Sequence, residues 1–162
     1  MSAEEPFKIE RAELQEADVL TEIAVAAKAH WGYPQRWMEM WQLTLTMEPE
    51  TIQNQQVFVI RQEGVPIAFY ALIGKIPALD LDQLWVRPEY IGKGLGKLLV
   101  EHALALAAQM GAAQVDVQAE PHAEGFYLHM GARRVGEFAY VLDGQPRVLP
   151  KLVFDLPPAK SA

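Results

Sequence analysis

The sequence predicts an α+β fold with one central sheet, mixed but mainly antiparallel, of about six or seven strands flanked by about four helices. Two observations predict it. Apolar residues recur at strand and helix spacings in the order strand, helix, helix, three strands, helix, strand, helix, two strands. The strand–helix–strand unit from Leu79 to Val117 should form a parallel strand pair with a right-handed crossover.

The N-terminal half begins with a short alternating strand at residues 7–10. Apolar residues at helical spacing predict a first helix over residues 12–29, which a Gly-Tyr-Pro sequence ends. Pro34 then opens a second helix that extends to residue 45, because proline suits the first helical position. A Glu-Gly turn joins two buried strands at residues 57–60 and 67–73.

The C-terminal half alternates strands and helices and ends in a hairpin around an Asp-Gly turn. The predicted elements are a strand at 79–86, a helix at 95–110, a strand at 115–117, a helix at 122–130 and hairpin strands at 135–142 and 148–154. We expect residues 1–156 to form a single domain. Residues 157–162 are expected to be a frayed C-terminal tail.

The composition excludes several classes of function. The chain has 162 residues with a net charge of -7 and no Lys/Arg-rich run, so nucleic acid and anionic membranes are not expected partners. It has no cysteine, which excludes disulfides and a cysteine nucleophile, and no histidine pair with metal-ligand spacing, so we predict no metal. No apolar run of signal-peptide or membrane-span length occurs, so we expect a cytoplasmic protein. The acidic surface favours cationic substrates or serves solubility.

A glycine-rich loop between a strand and a long helix carries the strongest functional signal. Gly92, Gly94 and Gly96 alternate where the helix begins. The first N–H groups of a helix have no intrahelical partners and carry partial positive charge, and glycine lets an anion approach them closely. The spacing fits neither a P-loop nor a dinucleotide fingerprint. The loop therefore predicts a phosphate or pyrophosphate site, the alternative being a tight turn that merely starts a helix.

A second motif follows one helix and one strand later and makes the first more specific. The segment from Glu120 to Ala132 contains an Ala-x-x-Phe-Tyr-x-x-x-Gly pattern. In this order, the two motifs resemble those of the GNAT superfamily of acetyl-CoA-dependent N-acetyltransferases. The chain departs from the family at Ile91, where Arg or Gln is usual, at Glu120, where Asn is common, and at Ala132, where Phe is common.

The resemblance implies a GNAT-like single domain with acetyl-CoA as co-substrate. The strand would offer backbone groups to the pantetheine arm, the glycine loop would hold the pyrophosphate, and the second motif would contact the rest. The residues implied in cofactor binding are Leu84, Trp85, Val86, Ile91, Gly92, Lys93, Gly94, Leu95, Gly96, Lys97, His122, Ala123 and Phe126.

Three residues are candidates for proton transfer. The resemblance implies that Tyr127 protonates the departing thiolate; alternatively, it is a core tyrosine beside Phe126. The attacking amine must lose a proton, and Asp82 and Asp80 lie two apart on the strand before the loop, so they share one face. We predict Asp82 as the base and Asp80 as the second candidate. The alternative is that both are solvated carboxylates or bind the substrate ammonium.

Aromatic residues between the first two helices are candidates for the acceptor side. His30, Trp31 and Tyr33 could enclose a cation, or they could form a hydrophobic corner joining two helices. Trp37 and Trp41, four apart, are predicted in the core. We expect His102 and His129 to be exposed and inert.

The sequence thus predicts an N-acetyltransferase that transfers an acetyl group from acetyl-CoA to a primary amine, of a small molecule or a peptide, by direct attack in a ternary complex. Two alternatives are a catalytically silent acyl-CoA-binding module and a simple nucleotide-phosphate binder. A homodimer is a further expectation from the resemblance. The identity of the acceptor does not follow from the sequence.

Overall fold

The computed structural model describes residues 7–158 and contains one seven-stranded sheet. The strands are β1 (Ile9–Arg11), β2 (Gln56–Gln62), β3 (Val65–Lys75), β4 (Ala78–Val86), β5 (Gln114–Gln118), β6 (Arg133–Leu142) and β7 (Gln145–Asp155). The helices in these residues are α1 (Ala17–Ala29), α2 (Gln35–Met40), α3 (Gln42–Leu45), α4 (Pro49–Asn54), α5 (Leu95–Gln109) and α6 (Glu124–His129).

The sheet confirms the predicted α+β class. Its order is β1-β2-β3-β4-β5-β7-β6, and every neighbouring pair is antiparallel except β4 and β5, which are joined through α5. The pairs β2–β3, β3–β4 and β6–β7 are joined by tight turns and are antiparallel, whereas the parallel pair needs the crossover helix. None of the helices in residues 7–158 is both long and apolar enough to cross a membrane.

The helix count differs from the prediction of about four. The single helix expected over residues 34–45 is broken at Trp41, whose side chain is buried and whose backbone ends α2 and begins α3. Helix α4 was not expected, and Pro49 occupies its first turn, where a missing N–H costs nothing. Both differences concern helices of six residues or fewer, whose stability comes from packing and leaves little periodic signal.

Two hydrophobic clusters cover the two faces of the sheet, and β3 contributes alternate residues to each. Ala68, Tyr70 and Leu72 face the cluster under α5 and α6, whereas Phe69 and Ala71 face the cluster under α1. Burying each large side chain contributes about 1.5–3 kcal/mol. The sheet is therefore held on both faces, and the site is built where it opens between them.

The parallel strands β4 and β5 separate soon after they pair. Their register ends at Asp80 opposite Asp116. Beside β3, the register shifts between Ala71, which pairs with Gln83, and Leu72, which pairs with Leu81, so Asp82 is the extra residue of a β-bulge. Beyond it, β4 follows β3 and β5 follows β7, which opens a wedge between them.

His102 corrects one expectation. It was predicted to be exposed and inert, but it is partly buried, its Nδ1 lies 2.7 Å from the Tyr70 hydroxyl, and its ring packs against Phe58. Burial lowers the pKa of His102. The prediction was wrong because β2 and β3 reach the flank of α5 that helical periodicity alone assigns to solvent.

The other predictions outside the site concern His129, the tryptophans Trp37 and Trp41, and the C-terminal tail. His129 is exposed, Trp41 is buried, and Trp37 packs partly buried against the same cluster. Leu156 is still tied to the fold by a backbone bond to Ala113. Of the predicted frayed tail, residues 157–158 lie outside any helix or strand, and 159–162 lie outside the described residues. The domain boundary stays a prediction.

Candidate active site

The wedge between β4 and β5 contains two adjoining cavities. We call the first, of about 420 Å³, the glycine-loop cleft, because the loop from Ile91 to Lys97 forms one of its walls. The second, of about 500 Å³, lies on the α1 side of the sheet and contains Asp80, Asp82 and Glu120; we call it the carboxylate cavity. The residues that line both are Leu81, Asp82, Trp85, Gln118 and Glu120.

The glycine-loop cleft ends at the start of α5. Gly92 and Gly94 have φ angles of 86° and 80°, and a side chain at either would meet no atom within 4 Å. Within residues 7–158, the backbone N–H groups of Gly92 to Lys97 donate to no protein acceptor. Unpaired amides at the N-terminus of a fifteen-residue helix, facing open space, form a site suited to an anion.

Gly96 has a different role, which is packing. A Cβ at this position would lie 3.2 Å from Cζ of Phe126, closer than ordinary contacts allow. The absence of a side chain lets Phe126 of α6 pack against the first turn of α5. The two helices that carry the two sequence motifs are therefore brought together at one side of the cleft.

Tyr127 follows Phe126 and faces the cleft from a buried position. It is 5% exposed, lines the cleft, and its hydroxyl bonds to no protein group within the described residues. Burial raises the pKa of Tyr127 well above its usual value. The phenol therefore stays protonated at neutral pH, and its one proton is available to a group in the cleft.

Asp80 and Asp82 lie on the face of β4 opposite to the buried Leu79 and Leu81. Both line the carboxylate cavity, but only Asp82 also lines the glycine-loop cleft. Burial raises the pKa of both carboxyls, and for Asp80 the nearby charges of Asp116 and Asp82 add to the effect. Neither forms a salt bridge within the described residues.

Glu120 occupies the junction of the two cavities and is the residue that sequence reasoning missed. Its carboxylate accepts hydrogen bonds from Lys28 Nζ at 2.8 Å, from the Tyr33 hydroxyl and from His122 Nδ1 at 2.8 Å. Burial by itself raises its pKa, but the bonds from Lys28, Tyr33 and His122 outweigh that effect and hold the pKa of Glu120 below its usual value. Its only signal in the sequence was a charge where the family commonly has Asn.

An aromatic cluster supports this carboxylate from behind. Lys28 Nζ lies 4.0 Å from the ring centroid of Trp41, and the Arg147 guanidinium lies 5.0–5.3 Å from the centroids of Tyr33, Trp37 and Trp41. Burial and the bond to Glu120 raise the pKa of Tyr33 to about 12. The cations are thus held by rings as well as by the carboxylate.

The structure distributes the three predicted acceptor residues over different places. Trp31 lines the glycine-loop cleft and stacks on His122 with centroids 4.6 Å apart. Tyr33 lines neither cavity and binds Glu120 instead. His30 is exposed and packs edge-on against Trp31, also outside both cavities.

The residues predicted to bind a cofactor lie together with one exception. Those that line the glycine-loop cleft are Leu84, Trp85, Val86, Ile91, Gly92, Gly94, Leu95, Gly96, Lys97, His122, Ala123 and Phe126. Lys93 does not line it, and its Nζ lies 5.8 Å from the ring centroid of Tyr90. In the described part of the chain, no three His, Asp or Glu side chains are grouped so that they could hold a metal ion.

A family model of the acetyltransferase (GNAT) domain matches residues 53–131, which include the wedge, the glycine loop and α6. Over this stretch, about half of the chain, the sequence resembles the acetyltransferase (GNAT) domain. Two curated relatives support this: the peptidyl-lysine N-acetyltransferase YjaB of Salmonella typhimurium is 34% identical over 95 residues, and that of Escherichia coli K12 is 32% identical. Each match covers 59% of this chain and only 61% or 60% of the relative.

Solved GNAT structures show the same fold over nearly the whole chain. A GCN5-related N-acetyltransferase from Rhodopseudomonas palustris has a TM-score of 0.77 at 20% identity, covering 96% of this chain and 99% of that one. The PaiA N-acetyltransferase from Thermoplasma acidophilum, solved with coenzyme A, has a TM-score of 0.73 at 18% identity and covers 93% and 99%. These structures confirm the predicted GNAT-like fold.

Proposed function

We propose that this GNAT domain binds acetyl-CoA in the glycine-loop cleft and transfers the acetyl group to a primary amine held in the carboxylate cavity. One observation carries the proposal: the two cavities meet at Asp82, with Tyr127 in the wall of the cleft. A proton acceptor and a proton donor therefore border the place where an amine from one cavity reaches a thioester in the other. The names of the YjaB relatives and the coenzyme A in PaiA support the same assignment.

The cleft suits the two ends of coenzyme A in different ways. The unpaired amides from Gly92 to Lys97 are placed to bind the pyrophosphate, assisted by the dipole of α5. On the adjoining stretch of β4, Leu84 and Val86 pair with β3 but not with β5. Their free backbone edge is available to the amide groups of the pantetheine arm, as an added strand would use it.

Asp82 and Tyr127 divide the proton transfers. An amine is protonated at neutral pH and becomes a nucleophile when a base accepts its proton. Asp82 keeps an exposed surface, but partial desolvation raises its pKa and makes it a stronger base than a fully solvated aspartate; it also borders both cavities. When the amine nitrogen bonds to the carbonyl carbon and the carbon–sulfur bond breaks, Tyr127 gives its proton to the sulfur. The nitrogen releases its second proton as the amide forms, which reprotonates Tyr127 through water, and Asp82 returns its own proton to solvent. The products are an amide and free coenzyme A.

Glu120 is less suited to be the base. Three hydrogen bonds hold it as an anion with a lowered pKa, so it has little tendency to accept a further proton. We assign it an orienting role: it ties α1, through Lys28, to the turn that leads into α6. Its negative charge at the junction also favours an ammonium group there.

The test combines binding and turnover. Calorimetry with coenzyme A measures binding, and a thiol-reactive dye measures the release of coenzyme A from acetyl-CoA when butylamine, 1,4-diaminobutane or a lysine-containing peptide is added. We expect binding and amine-dependent release, with mass spectrometry showing the acetylated amine. Binding without release would instead identify the silent acyl-CoA-binding module. No binding would contradict the proposal as a whole.

The predicted homodimer has its own test. In the described residues, β6 pairs on one side only, and it exposes Phe138 and Val141, the latter to 71%. An edge strand with exposed apolar side chains is suited to pair with a second copy. Sedimentation of the wild-type chain measures whether it does so, and a monomer at all concentrations would contradict the expectation.

A further inference from the structure

The carboxylate cavity has an imbalance of charge that its own residues leave uncompensated. Asp80, Asp82 and Glu120 line it, and the cation that lines it is Lys28, which is committed to Glu120 at 2.8 Å. Three carboxylates and one ammonium leave two formal negative charges. These belong to Asp80 and Asp82, which have no salt-bridge partner within residues 7–158.

The groups around the cavity do not remove this imbalance. Asp116 lies opposite Asp80 on β5 and adds negative charge beside it. The Arg147 guanidinium packs among aromatic rings, with Nη2 3.4 Å from the Tyr33 hydroxyl, and does not line the cavity. The counter-charge for Asp80 and Asp82 is therefore expected from a bound molecule.

The arrangement of the two carboxylates differs from that of a metal site. The two residues follow each other along one strand, with Cα atoms roughly 6–7 Å apart at the usual rise per residue. Within the described residues, they form no group of three with another His, Asp or Glu that could hold a metal ion. One of them, Asp82, reaches the glycine-loop cleft, whereas Asp80 borders the carboxylate cavity alone. Two separate positive groups joined by a short chain match this spacing.

The walls of the cavity suit such a connecting chain. Trp41, Trp85, Phe138 and Tyr140 line it. Aromatic rings pack against methylene groups and attract ammonium groups over their faces, as the Trp41 ring does with Lys28. A volume of about 500 Å³ leaves room for a short aliphatic diamine.

We propose that the acceptor is a dicationic amine, a short alkane diamine or a polyamine, whose reacting amine lies at Asp82 while its second ammonium pairs with Asp80. The proposal rests on the proposed acetyltransferase function and names its substrate class. Asp80 then determines specificity and does not take part in proton transfer. A lysine side chain in a peptide presents one ammonium and leaves Asp80 without a partner.

The test compares two amines that differ in the second charge. With 1,4-diaminobutane, we expect kcat/KM at least tenfold higher than with butylamine. Asp80→Asn should lower kcat/KM for the diamine about tenfold, through KM, and leave butylamine within about twofold, because one ion pair of this strength is lost. Glu137→Gln removes a carboxylate that is bound to Arg134 outside the cavity and should change neither constant. Thermal melting checks that each variant is folded.

The possible outcomes distinguish a failure of the diamine assignment from a failure of the proposed acetyltransferase function. Equal constants for the two amines, or a loss in Asp80→Asn that is the same for both, would overturn the diamine assignment while leaving amine acetylation intact. A lysine-containing peptide that is acetylated better than the diamine, with no dependence on Asp80, would also overturn it. No release of coenzyme A with any amine would overturn the proposed function itself.

Discussion

The two cavities of the wedge are built from different materials. About half of the residues that line the glycine-loop cleft belong to one continuous stretch of chain, from the end of β4 to the first turn of α5, where the unpaired polar groups are backbone amides. The carboxylate cavity is formed by side chains that lie far apart in sequence, such as Lys28, Asp82, Glu120 and Tyr140. The first is a property of backbone conformation and the second a property of side-chain identity.

This difference determines how strongly the binding preference of each cavity depends on its side chains. A backbone site binds the same group whichever side chains surround it, provided that glycine permits the turn. A side-chain site changes its preference with each substitution. The GNAT fold is therefore shared with proteins only 18–20% identical, while the acceptor is a matter for this chain's own residues. Substitutions at the two cavities should differ in the same way.

The largest effect is expected where the two cavities meet the reacting atoms. Tyr127→Phe removes the proton that we propose for the departing sulfur, and kcat should then fall by about a hundredfold or more. The hydroxyl has no protein partner in the described residues, so the melting temperature and the affinity for coenzyme A should stay close to those of the wild type. Rates of thiol release and calorimetry measure both. An unchanged kcat would make Tyr127 a core residue only.

Asp82→Asn tests the proton acceptor at the junction. Because burial raises the pKa of Asp82, the wild-type kcat/KM should fall as the pH drops through a value above the usual 3.8, since the protonated carboxyl accepts no proton. The variant should be slower by about ten- to a hundredfold and should lose this acidic limb. The pH profile decides the matter: a limb that persists in Asp82→Asn assigns the base to another group, and Asp80→Asn is the companion measurement.

The sequence predicted the two cavities unequally for the same reason. The glycine loop, the helix that follows and the Phe126-Tyr127 pair are local patterns, so the cleft and most of its lining were predicted. The role of Glu120 was not predicted, because its partners, Lys28 and Tyr33, are about 90 residues away and only the fold brings them together. His30 was predicted beside the acceptor from its aromatic neighbours, yet it points outside both cavities. The bulge at Asp82 depends on pairing with β3, which no local pattern encodes.

The buried Lys28–Glu120 pair allows a test of how far the side chains of the carboxylate cavity stabilise the fold. Glu120→Gln leaves the Lys28 ammonium buried without its counter-charge and should destabilise the fold by about 3 kcal/mol. Because the pKa of Glu120 is lowered in the folded state, its contribution is present above pH 4.5 and is lost as the pH falls through the folded value. Urea unfolding at pH 7 and pH 4 should therefore show a smaller difference in the variant than in the wild type.

The exposed pair Arg133–Asp155 provides the matched control. Both side chains are 60% exposed, and Arg133→Gln removes an ion pair that water already screens. No measurable change in unfolding is expected at either pH. If Glu120→Gln is as mild as Arg133→Gln, the cluster around Glu120 does not hold α1 to the site.

The smallest effect is expected from a substitution in the glycine loop, where a matched control glycine is available. Gly94 at the start of α5 and Gly64 in the β2–β3 turn both have a φ of +80°, and a side chain at either would meet nothing within 4 Å. Alanine should therefore cost the same backbone strain at both, roughly 1–2 kcal/mol in unfolding. Only Gly94→Ala also places a methyl group beside the amides that face the cleft, and its affinity for coenzyme A should fall about tenfold.

Subtracting the two variants isolates the cofactor effect from the strain. Urea unfolding should give the same loss for Gly94→Ala and Gly64→Ala, whereas calorimetry with coenzyme A should distinguish them. An equal affinity for coenzyme A in both variants would mean that the amides from Gly92 to Lys97 do not hold the pyrophosphate. If they did hold it, a methyl group added among them would lower that affinity. The contrast between a backbone site and a side-chain site would then fail, and coenzyme A would have to be bound by side chains, as we propose for the acceptor.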